Sequence, residues 1–155
     1  MKITEQVTGF ARPVVESLGC RLWDVEYVRE GADWFLRIYI DKDGGVDITD
    51  CEAISRALDP ILDEADPIDQ SYYLEVGSPG LGRKLTRPEH YEQLKGQKIR
   101  AKLIRPNADG VRELAGILTG REGTTVTLDT DNGPMAFEVN AASSVQLCDD
   151  EDLFD

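Results

Sequence analysis

The chain has 155 residues, 41% hydrophobic and 30% charged, which allows one domain of ordinary size or two small ones, each with a packed core. Its net charge of −13, from 17 Lys+Arg and 30 Asp+Glu, repels nucleic acid at long range, so phosphate contact needs a local basic patch, whereas a basic protein partner fits directly. No run approaches the ~20 apolar residues of a membrane span, Met1-Lys2-Ile3-Thr4-Glu5 lacks the apolar core of a signal peptide, and Cys20, Cys51 and Cys148 form neither a CxxC pair nor an even set; the expectation is a cytoplasmic protein with reduced thiols, no membrane contact, no metal and no cofactor.

Ile3, Val7, Phe10, Ala11, Val14, Val15 and Leu18 share one helical face. Gly19 supplies a stop, and Pro13 marks a kink or weak point. Two strands are predicted next, at 21–28 and 34–40, joined by the turn 29–33. Thr49 and Glu52 read as a capping box opening a second helix, with Ile54, Ala57, Leu58, Ile61, Leu62 and Ala65 as its buried stripe. Tyr72-Tyr73-Leu74-Glu75-Val76 is a third strand. The first half is therefore α-β-β-α-β, a two-layer α/β domain over residues 1–86.

A short connecting helix follows within 87–96. Beyond it the helical period disappears. Strand candidates at 97–104, 111–118, 124–129, 134–139 and 144–147 are separated by strong turn signals. Five short strands over 97–148 predict a small closed barrel of SH3-like or Sm-like type, so the fold class is α+β. The last seven residues, 149–155, hold five acids and read as a disordered, solvating tail. Charge is uneven elsewhere too: residues 1–91 carry 10 Lys+Arg against 18 Asp+Glu, whereas 92–148 carry seven of each.

Two segments imitate known sites. Asp41 to Glu52 places acids at positions 1, 3, 7 and 12 of a calcium loop, but Val46 stands where glycine is needed and a strand precedes it. Gly77 to Lys84 approaches a phosphate-cradling loop, but Arg83 replaces its lysine, Lys84 its hydroxyl, and Pro88 blocks the helix that should follow. His90 is the only histidine, lies in a polar context without a nucleophile partner and reads as a surface residue. No acid sits in an apolar stretch that would tune it for proton transfer. Enzymatic chemistry is not expected.

A basic segment is more informative. Lys98, Arg100 and Lys102 alternate with Ile99, Ala101 and Leu103, with Arg83, Lys84 and Arg87 upstream and Lys95 and Arg105 flanking. These cations could form a phosphate-binding stripe on an otherwise acidic protein; a solvated strand face balanced by nearby acids is the alternative.

Tyr73-Leu74-Glu75-Val76-Gly77-Ser78-Pro79-Gly80-Leu81-Gly82-Arg83, with Leu85 and Pro88-Glu89-His90-Tyr91, resembles the central segment of the ribosome maturation factor RimP family. Pro13 to Tyr27 resembles that family's first helix and strand, and Gly45 to Arg56 the start of its second helix. Gly77, Gly82 and Lys84 depart from the family's Ser, Asp and Pro, which predicts a looser loop. The resemblance implies an N-terminal α/β domain and an SH3-like or Sm-like second domain. It implies a monomeric, non-enzymatic factor of small-subunit (30S) maturation. The implied partners are the small ribosomal subunit precursor, the basic ribosomal protein near its decoding centre, and 16S rRNA. On this reading the contact residues are Ser78, Pro79, Gly80, Leu81, Arg83, Lys84, Arg87, Lys98, Arg100 and Lys102. The competing expectation is a stand-alone Sm-like RNA-binding regulator.

Overall fold

The computed structural model describes residues 2–149. The fold is mixed α+β, with three helices, a three-stranded sheet and a five-stranded sheet among the described residues. The chain divides into two compact units, Met1–Pro79 and Gly80–Asp155. Residues 80–86, assigned from sequence to the first domain, fall within the second unit. Six of the seven residues expected to form a disordered acidic tail, 150–155, lie outside the described residues.

In the first unit the order is α1 (Ile3–Ser17), β1 (Arg21–Glu30), β2 (Asp33–Asp41), α2 (Ile48–Ala65) and β3 (Tyr72–Gly77). β1 and β2 are antiparallel, and β3 joins β2 in parallel after the α2 crossover. Both helices cover one sheet face. Val7, Ala11 and Val15 of α1 and Ile54, Leu58 and Leu62 of α2 are buried against Leu22, Val25, Leu36, Ile38 and Ile40. Each such large side chain contributes roughly 1.5–3 kcal/mol on burial, so this layer dominates the unit's stability. α1 continues through Pro13, which removes only one intrahelical hydrogen bond. The turn expected over 29–33 is tighter than predicted: Glu30 pairs with Asp33, leaving Gly31 and Ala32, with Gly31 at φ +64°. Glycine makes that two-residue turn accessible, so both strands run further.

The capping box is also displaced. α2 starts at Ile48, not after Thr49, and Asp47 is its N-cap. Asp47 Oδ1 accepts from the Asp50 N–H at 2.9 Å, while Asp50 Oδ2 accepts from the Asp47 N–H at 3.1 Å. An aspartate pair satisfies the two equivalent orphan donors, as Thr/Glu would, and does so two residues earlier. Lys42 Nζ donates to Asp50 at 3.0 Å.

The second unit contains α3 (Pro88–Gln93), β4 (Lys98–Leu103), β5 (Glu113–Glu122), β6 (Thr125–Thr130), β7 (Gly133–Glu138), a 3-10 turn at Val139–Ala141, and β8 (Ala142–Leu147). The sheet order is β7-β6-β5-β4-β8, all antiparallel. β5 pairs with β4 along its first half and with β6 along its second. Gly116 lies just before the change of partner at Ile117, and a Cβ on it would meet the Asp129 carbonyl oxygen at 2.6 Å. Only glycine admits so close a backbone approach.

The closed barrel expected from five strands is not found. No pairing joins β7 to β8 among the described residues. The outer edge of β8 is instead used by the segment after the first unit: Leu85 N–H donates to the Val145 carbonyl and Leu147 N–H to the Arg83 carbonyl, both at 2.9 Å, around a bridge between Lys84 and Gln146. An edge already paired is not available to close a ring.

The capping geometry makes a test. Asp47→Ala should cost about 1 kcal/mol in urea unfolding, whereas Thr49→Ala should cost nearly nothing. Bonds from the Asp47 backbone and then from Lys42 hold the Asp50 carboxyl below the usual aspartate range. A carboxyl with a lowered folded pKa contributes stability above its unfolded pKa and loses it as pH falls through the folded value. The wild type should therefore lose more stability than Asp50→Asn when unfolding is compared at about pH 5 and about pH 2.

Candidate nucleic-acid interface

The basic stripe lies on the sheet of the second unit. Along β4, Ile99, Ala101 and Leu103 are buried, while Lys98 and Lys102 are exposed and Arg100 is half-buried. Strand alternation therefore sends the three cations to the face away from the core. Register adds a fourth. Arg100 lies opposite Gln146 of β8, and Gln146 is bridged to Lys84. Lys84 thus joins the same outer face two strand spacings away, about 10 Å. Along β4 itself, Lys98 and Lys102 are separated by about 13 Å. The result is a basic patch two-dimensional enough to touch more than one phosphate.

Its neighbours set its character. On β5, Ile117 lies opposite Lys98, Ala115 opposite Arg100 and Glu113 opposite Lys102. On β8, Ser144 lies opposite Lys102. Glu113 Oε1 lies 3.3 Å from Arg100 Nε, a half-exposed ion pair worth little net energy in water. That contact orients Arg100 without burying it. No aromatic side chain stands among these positions, so the face offers cations beside aliphatic Ile117 and Ala115, acidic Glu113 and polar Ser144 and Gln146, and no platform on which a base could stack.

The other residues expected at the site are placed differently. Ser78 and Pro79 end the first unit, and Gly80 begins the second. Gly80 and Gly82 have φ of +81° and +67°, and the Gly82 N–H donates to Asp149 Oδ1 at 2.7 Å. Leu81 is well exposed between them. Arg83 is half-buried and alternates with Lys84, so it shares the side of buried Leu85, away from the stripe. Arg87 is the half-buried N-cap residue of α3. Of the ten predicted positions, the outer sheet face gathers Lys84, Lys98, Arg100 and Lys102. Arg121, not singled out in the sequence, lies 4.9 Å over the ring of Tyr91. Burial pushes the Tyr91 hydroxyl up, and the Arg121 cation offsets part of that rise.

His90 was expected at the surface and is fully buried instead. Its Nδ1 accepts from the backbone N–H groups of Thr86 at 2.9 Å and Arg87 at 3.1 Å. An accepting Nδ1 carries no proton, so the ring holds its hydrogen on Nε2. Histidine at N3 here does for α3 what Glu or Gln does in a capping box, reaching back to orphan N–H groups at the helix start. The signal was present: Pro88 at N1 fixes the start of the helix, which makes His90 the N3 residue. Its polar neighbours concealed it, because a six-residue helix is too short to show a buried stripe.

His90→Leu should leave two inward N–H groups without an acceptor and cost about 2–4 kcal/mol in chemical denaturation. His90→Asn, whose Oδ1 can stand near the former Nδ1, should recover part of that loss. Equal losses would show that side-chain volume, and not the acceptor, is what matters.

Residues 10–82 match the family model described as the RimP N-terminal domain. The match begins in α1 and ends in the glycine loop after β3.

Proposed function

Because the chain belongs to the RimP family of ribosome maturation factors through this N-terminal domain, we propose that it acts in maturation of the small ribosomal subunit as a binding factor with no reaction of its own. It engages the subunit precursor and its 16S rRNA through Lys84, Lys98, Arg100 and Lys102, and it engages the basic ribosomal protein near the decoding centre through acidic surface. Binding stabilises one conformation of an immature site, and release follows when RNA and protein close up. The protein works as a monomer in the cytoplasm. The second unit is an SH3-like or Sm-like module: four strands in a meander, a 3-10 turn and a fifth strand returning beside the first support that reading.

The observation that carries the RNA contact is the clustering of four cations on one exposed sheet face of a chain whose net charge is −13. The lack of aromatics on that face favours phosphate contact with structured rRNA over capture of single-stranded bases, which disfavours the Sm-like regulator. The acidic balance speaks for the second partner. The first unit carries seven Lys+Arg against seventeen Asp+Glu, and such a surface attracts a Lys/Arg-rich protein with salt-sensitive association.

Co-sedimentation with free small subunits, large subunits and whole ribosomes at two salt concentrations tests the reading. Selective binding to free small subunits, weakened by salt, is the expected outcome. The triple variant Lys98→Ala, Arg100→Ala, Lys102→Ala should bind more weakly, with a log–log salt slope shallower by about 2 to 3. Failure to bind any particle, with tight binding of free single-stranded RNA, would replace the assembly factor by the regulator.

A further inference from the structure

The sheet of the first unit has a second face, which neither α1 nor α2 covers. Register arranges it as two rows. Val28, Phe35 and Tyr73 lie side by side across β1, β2 and β3, and Glu26, Arg37 and Glu75 form the adjacent row. The Phe35 and Tyr73 ring centroids are 5.6 Å apart, and Tyr73 is 59% exposed. An aromatic row thus adjoins a row of carboxylates on an open, unpartnered surface.

Arg37 shows what this environment receives. Its guanidinium lies 4.9 Å over the Phe35 ring, with Nε donating to Glu75 at 2.8 Å and two nitrogens donating to Glu30 at 2.7 and 3.0 Å. Glu26 approaches at 3.7 Å. Three carboxylates surround one guanidinium, so the cluster keeps a negative balance of two. These bonds hold the Glu30 carboxyl below its ordinary range and raise the Arg37 guanidinium above its own. Tyr39 extends the surface, its hydroxyl 3.4 Å from Glu26. Rings beside carboxylates suit cationic side chains with aliphatic stems: the stems lie on the rings, and the charged ends meet the carboxylates.

We propose that this open face of β1, β2 and β3 is the docking surface for a Lys/Arg-rich polypeptide segment, lying extended across the Val28-Phe35-Tyr73 row with its cations at Glu26, Glu30 and Glu75. The inference rests on the reading that a basic protein is a partner, and it assigns that contact to the sheet of the first unit and not to the cationic sheet face of the second. Charge complementarity selects the occupant: a unit with a net charge of −10 repels phosphate and steers a polycation toward itself.

The test uses the full chain and a short fluorescent peptide of Lys, Arg and Gly, followed by anisotropy. Tyr73→Ser and Glu75→Lys together should weaken peptide binding about tenfold or more. Two controls separate the face from bulk charge. Glu52→Lys, on exposed α2, makes the same charge change as Glu75→Lys and should alter binding less than twofold; Lys98→Ala with Lys102→Ala should not weaken it. Thermal unfolding of each variant shows that the fold persists. Absence of peptide binding, a loss in Glu52→Lys equal to that of the Tyr73→Ser, Glu75→Lys double variant, or a response of short-RNA binding to the Tyr73 and Glu75 changes would overturn the proposal. The peptide assay contains no ribosome, so its failure is distinct from failure to co-sediment with small subunits.

Discussion

A β-strand sends successive side chains to opposite sides, and in each unit only one side of the sheet is committed to a core. That constraint governs everything that can bind here. In the first unit Leu36, Ile38 and Ile40 are taken by the helices, which leaves Phe35, Arg37 and Tyr39 on the open face. In the second, Ile99, Ala101 and Leu103 are taken by the core, which leaves Lys98, Arg100 and Lys102. A shift of one residue in either register would exchange core and open face outright, so packing and surface chemistry are specified by the same pattern.

The two open faces have opposite chemistry. One sets rings among carboxylates and the other sets cations among aliphatic and polar side chains without rings. Their sum is an acidic protein, but the sum hides the segregation. The first unit carries −10 of the net charge of −13. Within about a Debye length, roughly 8 Å at physiological ionic strength, a partner responds to the local face and not to the net charge. An acidic protein can therefore present a site for phosphate, provided the cations are collected on one surface.

The segment between β3 and α3 illustrates a different economy of residues. It contains the most distinctive part of the sequence, yet most of its work is architectural. Gly80 and Gly82 adopt positive φ, Arg83 to Leu85 add an edge to β8, and His90 closes the start of α3 by accepting from Thr86 and Arg87. Of this segment, Lys84 reaches the cationic face, because the bridge to Gln146 turns its side chain outward.

Local periodicity was enough to order the elements. The 3.6 period of Val7, Ala11 and Val15, the alternation of Leu36, Ile38 and Ile40, and the turn residues after them are properties of neighbouring positions, and neighbouring positions are what a sequence displays. The outward placement of Lys98, Arg100 and Lys102 was legible for the same reason. The displaced capping box was a choice between two plausible starts, Asp47 and Thr49, which backbone geometry at Asp47 decided. What tertiary structure alone settled were pairings between distant segments. Lys84 joined the patch and Arg83 left it because of β8; the sheet remained open because that same edge was occupied; and Val28, Phe35 and Tyr73 became one row only through register across three strands. His90 was buried because α3 packs against β5, a contact that no pattern within six residues can announce.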